Sequence, residues 1–201
     1  MSVKRISKRI FDLIFTIPGL LILSPLFILV SIMIKADDGG PVFFLQERVG
    51  KDGKMFRMFK FRSMYTDAEK RGGQLTIGDD PRITKTGKFL RKTKIDEIPQ
   101  LINVILGDMS LVGPRPEVAK YVHLYTPEQS RILKLIPGIT DPASIKYSNE
   151  SELLAESDDP ENLYINNFMT NKININLEYN TNATIMTDFV IIAKTIFKIL
   201  K

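Results

Sequence analysis

From Leu13 to Ile34 no charged residue interrupts the chain, and that run limits what the rest can fold into. A bilayer is crossed by about 20 apolar residues, so the run is long enough to be a membrane segment. A cleaved signal peptide is one alternative, yet no small-residue cleavage site follows, only Lys35-Ala36-Asp37-Asp38. A fully buried core helix is another, and a chain of 201 residues offers little room to enclose one.

Lys4, Arg5, Lys8 and Arg9 precede the run and should hold the N-terminus on the cytoplasmic side. A simple span would then place everything after Ile34 outside the cell. Two breaks, Pro18-Gly19 and Ser24-Pro25, offer a different path. Proline removes a backbone hydrogen bond and kinks a helix, and a serine hydroxyl can satisfy the carbonyl set free. A helix bent at Ser24-Pro25 enters and leaves by one face, with the basic residues and Lys35 at the same interface. The reading is a re-entrant membrane helix over residues 1–36 and a catalytic domain over residues 37–201; periodicity is compatible with spanning as well.

The balance of 28 basic against 23 acidic residues, a formal +5, points to an anionic partner: nucleic acid, a phosphorylated ligand or a membrane surface. Without cysteine there are no disulfides or thiolate metal sites. The single histidine, His123, argues against a histidine triad or zinc cluster and reads as structural or exposed. Any metal would be a hard cation held by oxygen, Mg²⁺ first.

Residues 41–49 read as a strand, Gly50-Lys51-Asp52-Gly53 as a hairpin turn and residues 54–64 as a second strand alternating aromatic and basic side chains. Lys60 and Arg62 share a face there and suit a diphosphate; a solvated edge strand or single-stranded nucleic acid binding are the competing readings. Residues 65–71 look like a short helix, and residues 74–86 like a polar loop over the site, with Arg82 as its ligand-facing candidate. Residues 117–135 suggest an amphipathic helix or helix pair, and residues 146–162 an exposed loop with a short helix. Residues 187–201 are amphipathic, fitted equally to a membrane interface or to the core.

The stretch from Gly87 to Glu117, GKFLRKTKIDEIPQLINVILGDMSLVGPRPE, gathers the chemistry. It opens with Lys88, Arg91, Lys92 and Lys94, sets Asp96 and Glu97 before an apolar helix, and closes on Gly113-Pro114-Arg115-Pro116. Asp96 is placed to cap that helix, with Pro99 in its first turn and Gly107 as its stop. A carboxylate among cations stays ionised and can act as nucleophile or metal ligand. Ordinary helix capping beside a solvated basic face would leave the same spacing.

Taken together, the basic N-terminus, the apolar segment broken at Ser24-Pro25, Phe59-Lys60-Phe61-Arg62-Ser63-Met64, Arg91-Lys92-Thr93, Asp96-Glu97-Ile98-Pro99-Gln100 and Gly113-Pro114-Arg115-Pro116-Glu117 resemble the bacterial sugar transferase family, the monotopic phosphoglycosyl transferases. The size is similar to that of its minimal members, a catalytic core alone. The resemblance implies an α+β fold: a small helix-rich cytoplasmic domain with a short β-hairpin, carried on a re-entrant helix kinked at Ser24-Pro25, with interfacial amphipathic helices. It implies transfer of a sugar-1-phosphate from a UDP-sugar to undecaprenyl phosphate with release of UMP, at the cytoplasmic face of a bacterial inner membrane. Asp96 is then the catalytic nucleophile and Glu97 its orienting or basic partner. The pair would help hold Mg²⁺, and Lys60, Arg62, Arg91 and Arg115 would contact phosphate or nucleotide. Membrane lipids are expected partners, nucleic acid is not, and oligomeric state is left open. Asp141-Pro142-Ala143-Ser144-Ile145 departs from many relatives, so sugar contacts are not carried over. A non-catalytic membrane-tethered module that binds anionic lipid or nucleotide is the alternative.

Overall fold

Thirty-six residues near the N-terminus form one helix although two prolines lie inside it, and the second of them has a local remedy. In the computed structural model, which describes residues 3–68, 75–78 and 80–200, α1 runs Val3–Asp38 through both Pro18 and Pro25. Pro25 cannot donate to Leu21, and the Ser24 hydroxyl donates to the Leu21 carbonyl instead, at 2.8 Å.

The two flanks of α1 dock on the rest of the chain. Near its start, Phe11, Asp12 and Thr16 are buried, and the Arg9 guanidinium reaches the carbonyls of Val104 and Ile105. Near its end, Val30 and Ile34 pack with Phe61 and Leu90, and Asp37 accepts from the Thr86 N–H at 2.9 Å. Between Thr16 and Val30 no residue is buried, and Leu21, Ile22, Ile28 and Leu29 are exposed. A helix this apolar is long enough to cross a membrane.

The chain then pairs β1 (Phe43–Val49) with β2 (Met55–Phe61), antiparallel, with Phe43 opposite Phe61 and Val49 opposite Met55. The expected turn joins them, with Asp52 and Gly53 at positive φ. Helix α2 (Lys85–Lys92) is capped by the Thr84 hydroxyl accepting from the Gly87 N–H. A 3₁₀ turn over Ile95–Glu97 leads into α3 (Gln100–Leu106), and Gly107 at φ 95 ends it as expected. Asp96 is not the cap of α3; it lies inside the preceding turn, and Pro99 holds the cap position.

Two short strands, β3 (Ser110–Val112) and β4 (Gly138–Thr140), pair in parallel, a feature the sequence did not announce. Each has three residues, too few to show a period of two. Between them, where an amphipathic helix or helix pair was expected, the chain forms two short helical segments and no long helix. Residues 117–135 hold only α4 (Ala119–Val122) and a 3₁₀ turn over Gln129–Lys134. Residues 146–162, read as an exposed loop with a short helix, follow α5 (Pro142–Lys146) and hold two short helices, α6 (Glu150–Ala155) and α7 (Pro160–Leu163), joined by turns. Two of these start at Asp-Pro pairs whose aspartates accept from the first helical N–H groups. A π turn over Tyr164–Met169 runs into α8 (Thr170–Thr181), and α9 (Ile185–Leu200) ends the description.

Helix α9 keeps Ile191 and Asp188 against the domain and leaves Met186, Phe189 and Phe197 exposed. Asp188 takes an ion pair from Lys8 at 2.7 Å and a hydrogen bond from the Tyr179 hydroxyl at 2.8 Å, tying α9 to α1. Of the short helix expected over residues 65–71, residues 65–67 form a coil and turn with Ala68 N–H donating to the Tyr65 carbonyl at 3.0 Å, and residues 69–71 lie outside the described residues. The architecture is α+β, helix-rich with two small sheets.

Candidate active site

Asp96 and Glu97 are adjacent in sequence yet meet different surroundings, because a 3₁₀ turn sends successive side chains in different directions. Lys94, just before the turn, adopts φ 58, a left-handed conformation uncommon outside glycine. Both carboxylates line a cavity of ≈ 1040 Å³ together with Lys60, Arg91, Lys94 and Arg115.

Glu97 is fully engaged. Arg115 forks onto both of its oxygens, with Nη1 to Oε2 at 3.0 Å and Nη2 to Oε1, and Lys60 Nζ lies 3.3 Å from Oε1. Burial by itself would push the Glu97 carboxyl up, but Arg115 and Lys60 outweigh it and hold it well below the usual range. In return Glu97 raises the Arg115 guanidinium further above its ordinary value. Burial lowers Lys60 to about 8 even beside Glu97.

Asp96 is the opposite case. It is 6% exposed, and its Oδ1 has no hydrogen-bond partner. Burial first, and the Glu97 charge second, push its carboxyl above the ordinary value, against Lys60, Arg91 and Lys94. The expected effect of the surrounding cations is present but does not dominate. A buried carboxylate oxygen without a partner is costly unless a ligand completes it, which leaves Asp96 the member of the pair open to a ligand.

Four cations were expected at phosphate. Lys60 and Arg115 converge on Glu97, and the Arg91 guanidinium lines the cavity with no hydrogen bond or ion pair among the described residues. Arg62 lines the same cavity as Lys60, but its guanidinium is already engaged. It lies past the end of β2, where the Asp38 carboxylate takes both its terminal nitrogens and the Pro41 carbonyl accepts from Nε at 2.6 Å. Its charge is consumed in pinning the end of α1. Arg82 reaches the cavity wall, but the Asp80 carboxylate grips it at 2.6 Å. His123 is exposed, as expected.

Sequence reading overlooked Arg48. Its Nη1 donates to the Pro116 carbonyl at 3.1 Å and lies 3.3 Å from Glu117 Oε1, while the Tyr164 hydroxyl donates to Glu117 Oε2. The Val49 N–H adds a bond to the Glu117 carbonyl at 2.8 Å. These contacts clamp the chain just after Arg115 to the end of β1. Arg48, beside Gln46 and Glu47 at the polar end of the strand FFLQERV, was the available signal.

Of the two expected Mg²⁺ ligands, Asp96 fits and Glu97 does not, since both Glu97 oxygens are already given to cations. Among the described residues no three acidic or histidine side chains cluster around a metal position. Mg²⁺ commonly binds through one or two carboxylates plus substrate phosphates, and that donor set is compatible with a lone Asp96.

A family model described as bacterial sugar transferase matches residues 3–201. Galactosyl transferase CpsE of Streptococcus agalactiae serotype III is 47% identical over 146 residues, covering 67% of this chain and 32% of its own length. The UDP-N-acetylgalactosamine-undecaprenyl-phosphate N-acetylgalactosaminephosphotransferase of Aeromonas hydrophila is 37% identical over 198 residues, covering 96% and 43%. The UDP-glucose:undecaprenyl-phosphate glucose-1-phosphate transferase of Escherichia coli (strain K12) is 34% identical over 201 residues, covering 98% and 41%. The chain spans less than half the length of each of these three relatives.

Proposed function

Because the chain belongs to the bacterial sugar transferase family, we propose that it moves a sugar-1-phosphate from a UDP-sugar to undecaprenyl phosphate and releases UMP. The observation that carries the mechanism is the buried Asp96 carboxylate, with Oδ1 unpartnered, at the wall of a cationic cavity. An Asp96 oxygen attacks the sugar-bearing phosphorus, the bond to the UMP oxygen breaks, and UMP leaves with that electron pair. A phosphate oxygen of the polyprenyl acceptor then attacks the same phosphorus, and the aspartyl bond breaks to restore the carboxylate. Two displacements at one site let a soluble and a lipid substrate react in turn.

Burial makes the Asp96 carboxylate more basic and strips it of water, both of which favour attack. Arg91 and Lys94 are the cations left to meet donor phosphate, with Arg115 and Lys60 set by Glu97 at the edge of the same space. Glu97 thereby orients the cations and does not react. Asp96 and the donor's own diphosphate oxygens would hold Mg²⁺, which when bound draws charge from the leaving phosphate.

A re-entrant seat in the membrane accords with three features. Both flanks of α1 dock on one domain, nothing between Thr16 and Val30 is buried, and the Ser24 hydroxyl covers the carbonyl that Pro25 leaves free. Exposed Phe189 and Phe197 on α9 extend that apolar surface, with Phe189 and Phe15 6.5 Å apart between ring centres. The catalytic face would then lie at the cytoplasmic headgroups, where the acceptor phosphate sits.

UMP release from a panel of UDP-sugars, with Mg²⁺ and undecaprenyl phosphate, tests the reading. Wild type should release UMP and Asp96→Asn should not. A folded wild type that releases no nucleoside monophosphate from any nucleotide sugar would sink it and favour an anion-binding module, which Asp96→Asn would strengthen.

A further inference from the structure

Arg115 hangs between Pro114 and Pro116, and neither proline has an N–H with which to tie that stretch down. Its carbonyls do the tying. Upstream, Pro114 O accepts from the Gly138 N–H at 3.0 Å. Downstream, Pro116 O accepts from Arg48 Nη1 at 3.1 Å, and Glu117 O accepts from the Val49 N–H at 2.8 Å. The downstream anchor therefore comes from the end of β1.

The Glu117 side chain closes that anchor. Its Oε1 lies 3.3 Å from Arg48 Nη1 and accepts from the Val118 N–H at 2.8 Å, and its Oε2 accepts from the Tyr164 hydroxyl. Tyr164 is buried and opens the π turn over Tyr164–Met169, a conformation rare in proteins and frequent at functional sites. Burial first, and the Glu117 charge second, hold its hydroxyl well above the ordinary value, so it stays a donor. Arg48 Nη2 donates to Gln46 Oε1 at 2.8 Å, which fixes the guanidinium from its other side. Glu117 thereby settles a competition. Arg48 and Arg115 line one cavity, repel each other, and both feel the Glu97 charge. Because Glu117 takes Arg48, Glu97 is left to Arg115.

We propose that Arg48, Glu117 and Tyr164 are positioning residues that hold Arg115 in its fork on Glu97 and act on the reaction only through it. This rests on the transferase reading, in which Arg115 borders the donor phosphates.

Tyr164→Phe removes one hydroxyl and keeps the ring against Tyr121, 4.9 Å between centres. Arg48→Met removes the guanidinium, and Arg48→Lys keeps a donor. For UMP release, kcat/KM should fall about 3- to 10-fold in Tyr164→Phe and about 10- to 100-fold in Arg48→Met, with Arg48→Lys between wild type and Arg48→Met. The deciding measurement is a double-mutant cycle with Arg115→Lys, which keeps the charge and loses the fork. In that background Arg48→Met should change kcat/KM by less than about twofold, while its cost in denaturant unfolding persists. A residue that merely stabilised the fold would lower the rate equally in both backgrounds. Equal losses would therefore overturn the proposal, as would wild-type kcat/KM in folded Arg48→Met or Tyr164→Phe. Affinity for the UDP-sugar, measured on Asp96→Asn protein carrying the same substitutions, repeats the cycle without turnover. A wild type that binds donor but releases no UMP refutes the transferase reading, and the binding cycle still decides the role of Arg48. Neither binding nor turnover refutes both.

Discussion

Replacing Gly138 with alanine should unseat Arg115 from Glu97 without touching either residue. In the parallel pair of β3 and β4, Gly138 and Gly113 cross so closely that a Cβ on Gly138 would lie 2.6 Å from Gly113 Cα. Ordinary contact begins near 3.4 Å and the Gly113 nitrogen would lie nearer still to that Cβ, so the two backbones must part by more than about 0.8 Å. The atoms in the way are backbone and cannot rotate aside. Gly138 N–H also donates to the Pro114 carbonyl at 3.0 Å, one residue before Arg115, so the displacement passes directly to the arginine. Overpacking of this kind costs about 1–3 kcal/mol, which leaves a domain of ordinary stability mostly folded. A misplacement of about 1 Å in a catalytic constellation can cost about 100-fold in rate, far more than the unfolded fraction would explain. Denaturant unfolding in detergent beside UMP release under folded conditions separates the two effects. Gly19→Ala, whose Cβ would meet nothing within 4 Å, is the control and should change neither. Wild-type turnover in Gly138→Ala would refute the idea that this crossing sets the position of Arg115.

Lys60 should give the reaction an alkaline limb. Burial holds its folded value at about 8 against 10.5 unfolded, so between those values folding releases a proton and stability rises with pH. Over the same window the cavity loses a positive charge, and KM for the donor should climb above pH 8 in wild type but not in Lys60→Arg; a flat KM to pH 9.5 would count against it. Asn103→Ala should lower unfolding free energy by about 2–4 kcal/mol, since the Phe59 N–H and the Arg57 carbonyl both lose their partner, and a denaturation midpoint near wild type would contradict that. The chain has no cysteine, so Ile6→Cys and Ala36→Cys can be labelled singly in intact spheroplasts. A re-entrant α1 leaves both protected from an impermeant external reagent, and labelling at Ala36→Cys alone would establish a span.

Several elements were legible because their causes are local. The run from Leu13 to Ile34 could become little other than a long apolar helix, Gly50-Lys51-Asp52-Gly53 could reverse a strand, and Gly107 could end α3. Hydrogen bonds in these elements close within a few residues, so residue type and spacing are sufficient. Ser24 beside Pro25 belongs here too, since donor and freed carbonyl lie three residues apart. The presence of Asp96 and Glu97 among cations was equally plain from the chain alone.

Tertiary structure decided what those groups are free to do. Asp96 was expected to cap a helix and is instead a buried carboxylate with an unpaired oxygen, because a left-handed Lys94 starts a 3₁₀ turn ahead of α3. Arg62 was expected beside Lys60, but Asp38, 24 residues earlier, takes its charge. Arg115 became the arginine that occupies Glu97 only because Arg48 and the paired strands β3 and β4 bring residues 113–117 back across the cavity. An ion pair between residues distant in sequence leaves no spacing to read, and which of several similar cations claims a carboxylate depends on burial and distance, which only the folded chain sets.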